Sequence, residues 1–238
     1  MSALTADGIT AGYGRVPIIR DIDIVAESAT ITAIVGPNGA GKSTLAKTLC
    51  GVLRPTTGRI WVSGKEVTGL PGHLLPRHGL AYVPQNENVF VSLSVRENLE
   101  IGGYPLRRAN EAKIAEILAI FPDLAKAKDK RAGQLSGGQQ NMLAMARALM
   151  VEPSVIVLDE PTAGLSPAYM TVVWEQIERV VATGTAAIVV EQNVERALHH
   201  ARTVYVLVAG ANHVHGPAEE IAALDLGAIF LGHDGSTR

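Results

Sequence analysis

The run Gly36-Pro37-Asn38-Gly39-Ala40-Gly41-Lys42-Ser43 packs three glycines, a lysine and a hydroxyl into eight residues. A glycine-rich turn lets successive backbone N–H groups converge on one anion, and a helix starting at its end adds partial positive charge. Lys42 would reach the β and γ phosphates of a nucleotide, and Ser43 would offer its hydroxyl to Mg²⁺, as in the P-loop pattern. Further along, Val155-Ile156-Val157-Leu158 runs into Asp159-Glu160. An apolar strand that delivers carboxylates at its C-terminal end places them where α/β proteins bind ligands. Asp159 is the candidate for the metal side, and Glu160 for polarising the attacking water. Phosphoryl transfer asks mainly for positioning and charge stabilisation, so this division of labour suffices in kind. By itself an apolar strand ending in Asp-Glu before Pro161 also reads as a cap. The glycine-rich loop upstream favours the chemical reading.

A second Ser-Gly-Gly unit, Leu135-Ser136-Gly137-Gly138-Gln139, lies shortly before the carboxylate strand, which begins near Pro153. Its composition suits an anion site at a helix N-terminus, or a plain N-cap with a flexible turn. With the P-loop and the Asp-Glu strand in the same order, this run resembles the signature motif of ABC ATPases. The resemblance extends over nearly the whole chain. It implies an ATPase that uses ATP and Mg²⁺ and works as a head-to-tail dimer, homo- or heterodimeric. In such a dimer the P-loop of one subunit (Gly36, Pro37, Asn38, Gly39, Ala40, Gly41, Lys42, Ser43 and Thr44) and the signature of the other (Ser136, Gly137, Gly138 and Gln139) enclose one ATP. It also implies that Tyr13 stacks on adenine. Gln85 matches the glutamine that senses Mg²⁺ and the attacking water, beside Ser43 and Asp159 on the metal. The stretch from Asn86 to Asn98 would lie near a membrane permease.

Gln140 to Met150, Val190-Glu191-Gln192-Asn193, Phe121-Pro122 and Phe230-Leu231-Gly232 are similar to the ATPases of branched-chain amino acid uptake systems; urea-uptake ATPases are similar too. The implied partners are integral permease subunits, a second ATP-binding subunit and, indirectly, an external solute-binding protein. The implied location is the cytoplasmic face of the cell membrane, with peripheral attachment. The chain departs from the wider ABC pattern at two places. Gln192 occupies the slot where most members carry a histidine. Its neutral amide can donate to a γ-phosphate oxygen and does not titrate near pH 7. Alternatively, Gln192 is a surface residue that caps the following helix. Ser166 stands where many members have an aspartate that couples the two sites, and Ser166-Pro167 is also a natural helix start.

Elements of the right type flank these residues. Ile31 to Val35 and Leu80 to Val83 read as strands, as does Asp21 to Val25 with its polar–apolar alternation. Gly58 to Gly64 is a further short strand. A helix is expected from near Lys42 to Gly51, and mostly helical sequence runs from Val95 to Met150, with Ile114, Ile117 and Leu118 at helical spacing over 110–120. Strands then return at Val155–Leu158, Ala186–Val190 and Thr203–Val208, separated by helices at Ala168–Val181 and Val194–Ala201. The reading is α/β, a mostly parallel core interrupted by a helical insert. The resemblance sharpens it to a P-loop NTPase core with an N-terminal antiparallel β part and an inserted helical subdomain. One ABC ATP-binding domain would span 1–238, with its α/β core at about 1–86 and 152–238 and the helical subdomain at about 87–151.

The bulk properties agree. The 238 residues are 47% apolar and 18% charged, an ordinary globular composition. A net charge of −2 gives no global basic footprint for nucleic acid. Arg107-Arg108 and 126–131 are small basic clusters that read as solvated loops and helix ends. Cys50 is the lone cysteine, excluding an internal disulfide and reading as a buried packing residue. The first seven residues lack the features of a signal peptide, and no run reaches the length of a membrane helix. His213 and His215 share a strand face without enough neighbouring ligands for a metal, and His199-His200 reads as a helix end. Two other functions compete with a transporter motor: a soluble ABC protein of translation or DNA repair, and an inactive nucleotide-binding module. A single cassette without heptads argues against the first, and the intact Lys42, Asp159 and Glu160 argue against the second.

Overall fold

The computed structural model describes residues 2–14, 16–86, 88–106 and 111–230. Arg107-Arg108, Asn110 and Leu231-Gly232, which entered the reading of the sequence, lie outside them. The chain runs β1 (Ser2–Tyr13), β2 (Val16–Glu27), β3 (Ile31–Val35), α1 (Lys42–Leu49), β4 (Thr57–Val62), β5 (Lys65–Glu66), β6 (Leu80–Val83) and α2 (Val95–Gly103). It continues through α3 (Glu111–Ile120), α4 (Pro122–Ala125), α5 (Gly137–Leu149), β7 (Val155–Asp159), α6 (Pro167–Ala182), β8 (Ala186–Val190), α7 (Val194–His200), β9 (Thr203–Val208), β10 (Ala211–Pro217), α8 (Ala218–Ala222) and α9 (Leu226–Phe230).

Among the described residues there are two sheets. One is antiparallel in the order β2-β1-β4-β5. The other has the order β10-β9-β3-β8-β7-β6 and is parallel except for β10 on β9. The sequence reading of an α/β chain with a mostly parallel sheet and an antiparallel N-terminal part therefore holds. The alternation at Asp21 to Val25 marks the half-buried β2, in which Ile22, Ile24 and Ala26 face inward.

The inner strands β3, β7 and β8 are buried along their whole length, as parallel strands covered on both faces must be. Their alternating residues feed two separate cores. Val155 and Val157 join Leu45, Ala46 and the antiparallel sheet on one side. Ile156 and Leu158 join Leu143, Val173, Trp174 and Ile177 on the other. This parity carries through to Asp159, which shares the face of Val155 and Val157 and thus lies on the side covered by α1. Cys50 is buried at the end of α1, and burial pushes its thiol well up, which suits a packing residue.

The order β3-β8-β7-β6 has one consequence for function. Four neighbouring parallel strands end at the same edge of the sheet, and each is followed by a segment singled out in the sequence. Gly36 follows β3, Gln192 follows β8, Asp159-Glu160 closes β7, and Gln85 follows β6. The crevice beyond the carboxyl ends of parallel strands is the ligand-binding position of open α/β sheets.

Candidate functional site

The glycine-rich loop is shaped by close approach. A Cβ on Gly36 would stand 2.1 Å from the Leu207 carbonyl oxygen of β9, so no larger residue fits there. Gly41 has φ +96 and supplies the left-handed step into α1, where a side chain would also meet Ile19. Gly41 gives α1 no side-chain cap, and the first turn contains no acidic residue. The opening N–H groups of α1 thus have no partner within the helix, which suits them to an anion. Lys42 is buried, and its ammonium donates to the carbonyl oxygens of Gly36 at 2.8 Å and Pro37 at 3.0 Å. Burial lowers its pKa, opposed by the nearby carboxylates of Glu160, Asp159 and Glu191. A cleft of about 190 Å³ opens here, lined by Ile18, Asn38, Gly39, Lys42, Ser43 and Glu160 among others.

Asp159 is 4% exposed. The hydroxyl of Tyr82, on the neighbouring β6, donates to its Oδ2 at 3.3 Å, and Ser43 is a second hydrogen-bond partner. Burial raises the Asp159 pKa, and these two hydroxyls oppose the shift. Asp159 Oδ1 is buried without a hydrogen-bond partner. An orphaned carboxylate oxygen beside a serine hydroxyl at the mouth of a phosphate loop fits Mg²⁺, which prefers one or two protein oxygens together with substrate phosphates. Among the described residues no cluster of three or more His, Cys, Asp or Glu offers an all-protein cage, so that sparse donor set is what a metal would find.

Glu160 follows in the left-handed conformation, φ +49, a strained backbone state that persists where its surroundings fix it. Its N–H donates to the Val190 carbonyl at 2.9 Å. Its carboxylate is held on both sides. Gln85 Nε2 donates to Oε2 at 2.7 Å, and Gln192 Nε2 donates to Oε1 at 2.8 Å. A carboxylate offers about four lone-pair positions, so capacity remains to accept a proton from water. The sequence-selected Gln85, Glu160 and Gln192 come from three different strands and form one cluster. Helix capping is not what Gln192 does: Asn193 caps α7, accepting from Arg196 N at 3.0 Å.

Ser136 caps α5 through a reciprocal capping box. Its hydroxyl accepts from Gln139 N at 3.3 Å, and Gln139 Oε1 accepts from Ser136 N at 3.0 Å. Ser136 and Gly137 are exposed. None of Ser136 to Gln139 lines the Lys42 cleft. Tyr13 ends β1 with 54% of its surface exposed. Ser166 stands at the start of α6 without a side-chain capping bond.

Residues 19–163 match the family described as ABC transporter. The chain belongs to the ABC transporter family. It is an ATPase of that family, and nucleotide is its ligand. The chain is similar to the probable branched-chain amino acid transport ATP-binding protein LivF of Archaeoglobus fulgidus, at 41% identity over 90% of this chain and 91% of the relative. It is also similar to the high-affinity branched-chain amino acid transport ATP-binding protein BraG of Pseudomonas aeruginosa, at 38% identity over 89% and 91%. Among solved structures it resembles the ADP conformation of MJ1267, an ATP-binding cassette of an ABC transporter. The TM-score there is 0.84 and the identity 27%, over 97% of this chain and 95% of that one.

The cassette's site contains further residues that the motifs did not reveal. Glu191 is 3% exposed and accepts from the Thr162 hydroxyl at 2.6 Å and from Gln192 N at 3.0 Å, while burial raises its pKa against those bonds. It ties the turn after Glu160 to the turn that carries Gln192. Asn141 on α5 donates to the Pro161 carbonyl at 2.9 Å, and Asn88 donates to Asn141 at 3.0 Å. The one sequence signal for Glu191 was a carboxylate directly after a fully apolar strand, the same pattern that marked Asp159.

Proposed function

We propose that this chain is the motor of an ABC importer, binding ATP at the Lys42 loop and hydrolysing it with Glu160 as the residue that polarises water. The observation that carries this reading is the Glu160 carboxylate fixed between the Gln85 and Gln192 amides, next to the Lys42 cleft. Held this way, Glu160 needs little reorganisation to accept from an attacking water, and preorganisation is where phosphoryl-transfer sites gain most. The backbone N–H groups of the Gly36–Thr44 loop, Pro37 excepted, and Lys42 bind the phosphates. Tyr13 offers an exposed ring to adenine. Each Gln side-chain amide has two donor protons, so Gln192 retains one for a γ-phosphate oxygen while holding Glu160.

Mg²⁺ would be held by the Ser43 hydroxyl, Asp159 Oδ1 and the Gln85 amide oxygen, and when bound it neutralises charge on the β and γ phosphates. The Ser136–Gln139 turn, exposed at Ser136 and Gly137 and not part of the cleft lining of its own chain, supports a head-to-tail dimer in which it covers the γ-phosphate on a second ATP-binding subunit. In this reading the helical part, about 87–151, is a subdomain set on an α/β core of about 1–86 and 152–238. Among the described residues no helix is long and apolar enough to cross a membrane. Attachment at the cytoplasmic face therefore falls to permease subunits. The exposed apolar residues Phe90, Val91, Ile101 and Tyr104, on or just after the Gln85 segment, support a docking face there. The names of the two relatives support branched-chain amino acids as the solute, delivered by an external binding protein.

Purification of the tagged chain from membranes, followed by uptake assays in cells lacking it, tests the whole reading. Copurification of an integral permease and selective loss of branched-chain amino acid uptake are expected. Loss of urea uptake instead would overturn the solute assignment, and copurification with ribosomes or DNA would overturn the transport role.

A further inference from the structure

Glu160 and Gln85 follow different strands, β7 and β6, and each is followed by a segment that must hold its place. The two segments meet on a third element. Pro161, directly after Glu160, presents its carbonyl to Asn141 Nδ2 at 2.9 Å. Asn88, three residues after Gln85 and 8% exposed, donates to Asn141 Oδ1 at 3.0 Å. The Gln85–Glu160 bond at 2.7 Å closes the ring. The void inside it is only about 10 Å³, bounded by Pro84, Met145 and Asp159 among others, room for at most one water. Beyond Asn88 the same segment is riveted again. The fully buried Asn98 of α2 accepts from Phe90 N at 2.8 Å and donates to the carbonyls of Phe90 at 3.0 Å and Ser94 at 2.9 Å.

We propose that Asn141 is a positioning residue for hydrolysis, its amide fixing the Glu160 turn against the Gln85 segment. Both ends of one amide are used, the oxygen for Asn88 and the nitrogen for Pro161. Its helix neighbours do other things: Gln140 Nε2 donates to the Ala132 carbonyl at 3.1 Å, and Met142 to Ala146 are buried apolar residues of the core. The need for such a tether follows from the φ of +49 at Glu160, a strained residue that stays put only when adjoining peptides are pinned. Glu191 pins Thr162 on one side, and Asn141 pins Pro161 on the other. The inference rests on Glu160 and Gln85 having the roles proposed above.

Asn141→Asp keeps the size and the oxygen that receives Asn88, but turns an acceptor toward the Pro161 carbonyl. The expected result is a fall in kcat of roughly ten-fold or more, the scale on which small misplacements of reacting groups are felt. KM and Kd for ATP should stay at the parent values, because Asn141 lines no part of the nucleotide cleft. Unchanged kcat, or loss of kcat and nucleotide affinity together, would overturn the proposal. If Asn141→Asp does not fold, Asn88→Ala, Asn141→Ala and the double variant decide. A double variant no slower than Asn141→Ala alone supports the ring, and independent, additive losses overturn it. Glu160→Gln is measured alongside. If it hydrolyses ATP normally, the reading of Glu160 fails. If it is inactive while Asn141→Asp is fully active, the tether alone fails.

Discussion

Two helices of this chain begin on glycine-rich turns, and their N-termini are built oppositely. α1 starts from Gly41 with no side-chain cap, beside a buried lysine of its own loop, under Glu160 and Asp159. α5 starts from Ser136 with a reciprocal capping box that satisfies the N–H groups of Ser136 and Gln139; Ser136 and Gly137 are exposed, and none of Ser136 to Gln139 lines the Lys42 cleft. The same macrodipole acts at both ends. At α1 it is left without a side-chain cap and stands with a cation and carboxylates, the groups to which the proposed reading gives the chemistry. At α5 a serine cap holds the first turn, outside the cleft where Lys42 and Glu160 stand. In the proposed reading, one turn is a reaction site and the other a lid presented to a neighbouring subunit.

Substitutions at the two turns test that contrast. The largest effect is expected from Glu160→Gln, which removes the proposed base. Turnover should fall by roughly 10²–10⁴-fold, the usual worth of a general base, while ATP binding persists and locks the dimer in gel filtration. Lys42→Ala should weaken ATP binding by the isolated chain by roughly 10–100-fold, the loss of charge-assisted hydrogen bonds of about 1.5–3 kcal/mol, read by equilibrium titration. Ser136→Ala should leave that affinity unchanged but cost about 1 kcal/mol of stability through the lost cap, read by denaturant unfolding. Equal losses of monomer affinity in these two variants would erase the distinction. Gln192→Ala should lower kcat by only about 2–10-fold, as befits a neutral amide worth roughly 0.5–1.5 kcal/mol, without altering ATP affinity. Unimpaired turnover would show that Gln192 neither holds Glu160 usefully nor contacts the γ-phosphate.

The contrast between what the sequence disclosed and what it concealed has a physical basis. Lys42, Ser43, Asp159 and Glu160 are legible because each acts through its local setting, a strand end or a helix start encoded within a few residues. The strands that carry them are legible for the same reason, since β3, β7 and β8 are apolar runs bounded by turns. The order β3-β8-β7-β6 is a matter of pairing over long separations, which no local pattern encodes. Asn141, Asn88, Tyr82 and Thr162 were silent in the same way. Their partners lie 20 to 77 residues away, and no local pattern gives such a side chain a site role until the fold supplies the contact. Gln192 was intermediate. Its position after β8 marked it, but that its amide would settle on Glu160 rather than cap α7 emerged only from the structure.

The central claim is that the Lys42 cradle and the Ser136 turn are halves of two different sites, so a lone chain lacks a complete one. Specific ATPase activity measured across a wide range of protein concentration, with the molecular mass followed in parallel, tests it most directly. An inactive monomer is expected, with activity appearing only as the chain pairs with itself or with a second ATP-binding subunit. A constant specific activity from a species that remains strictly monomeric would contradict it.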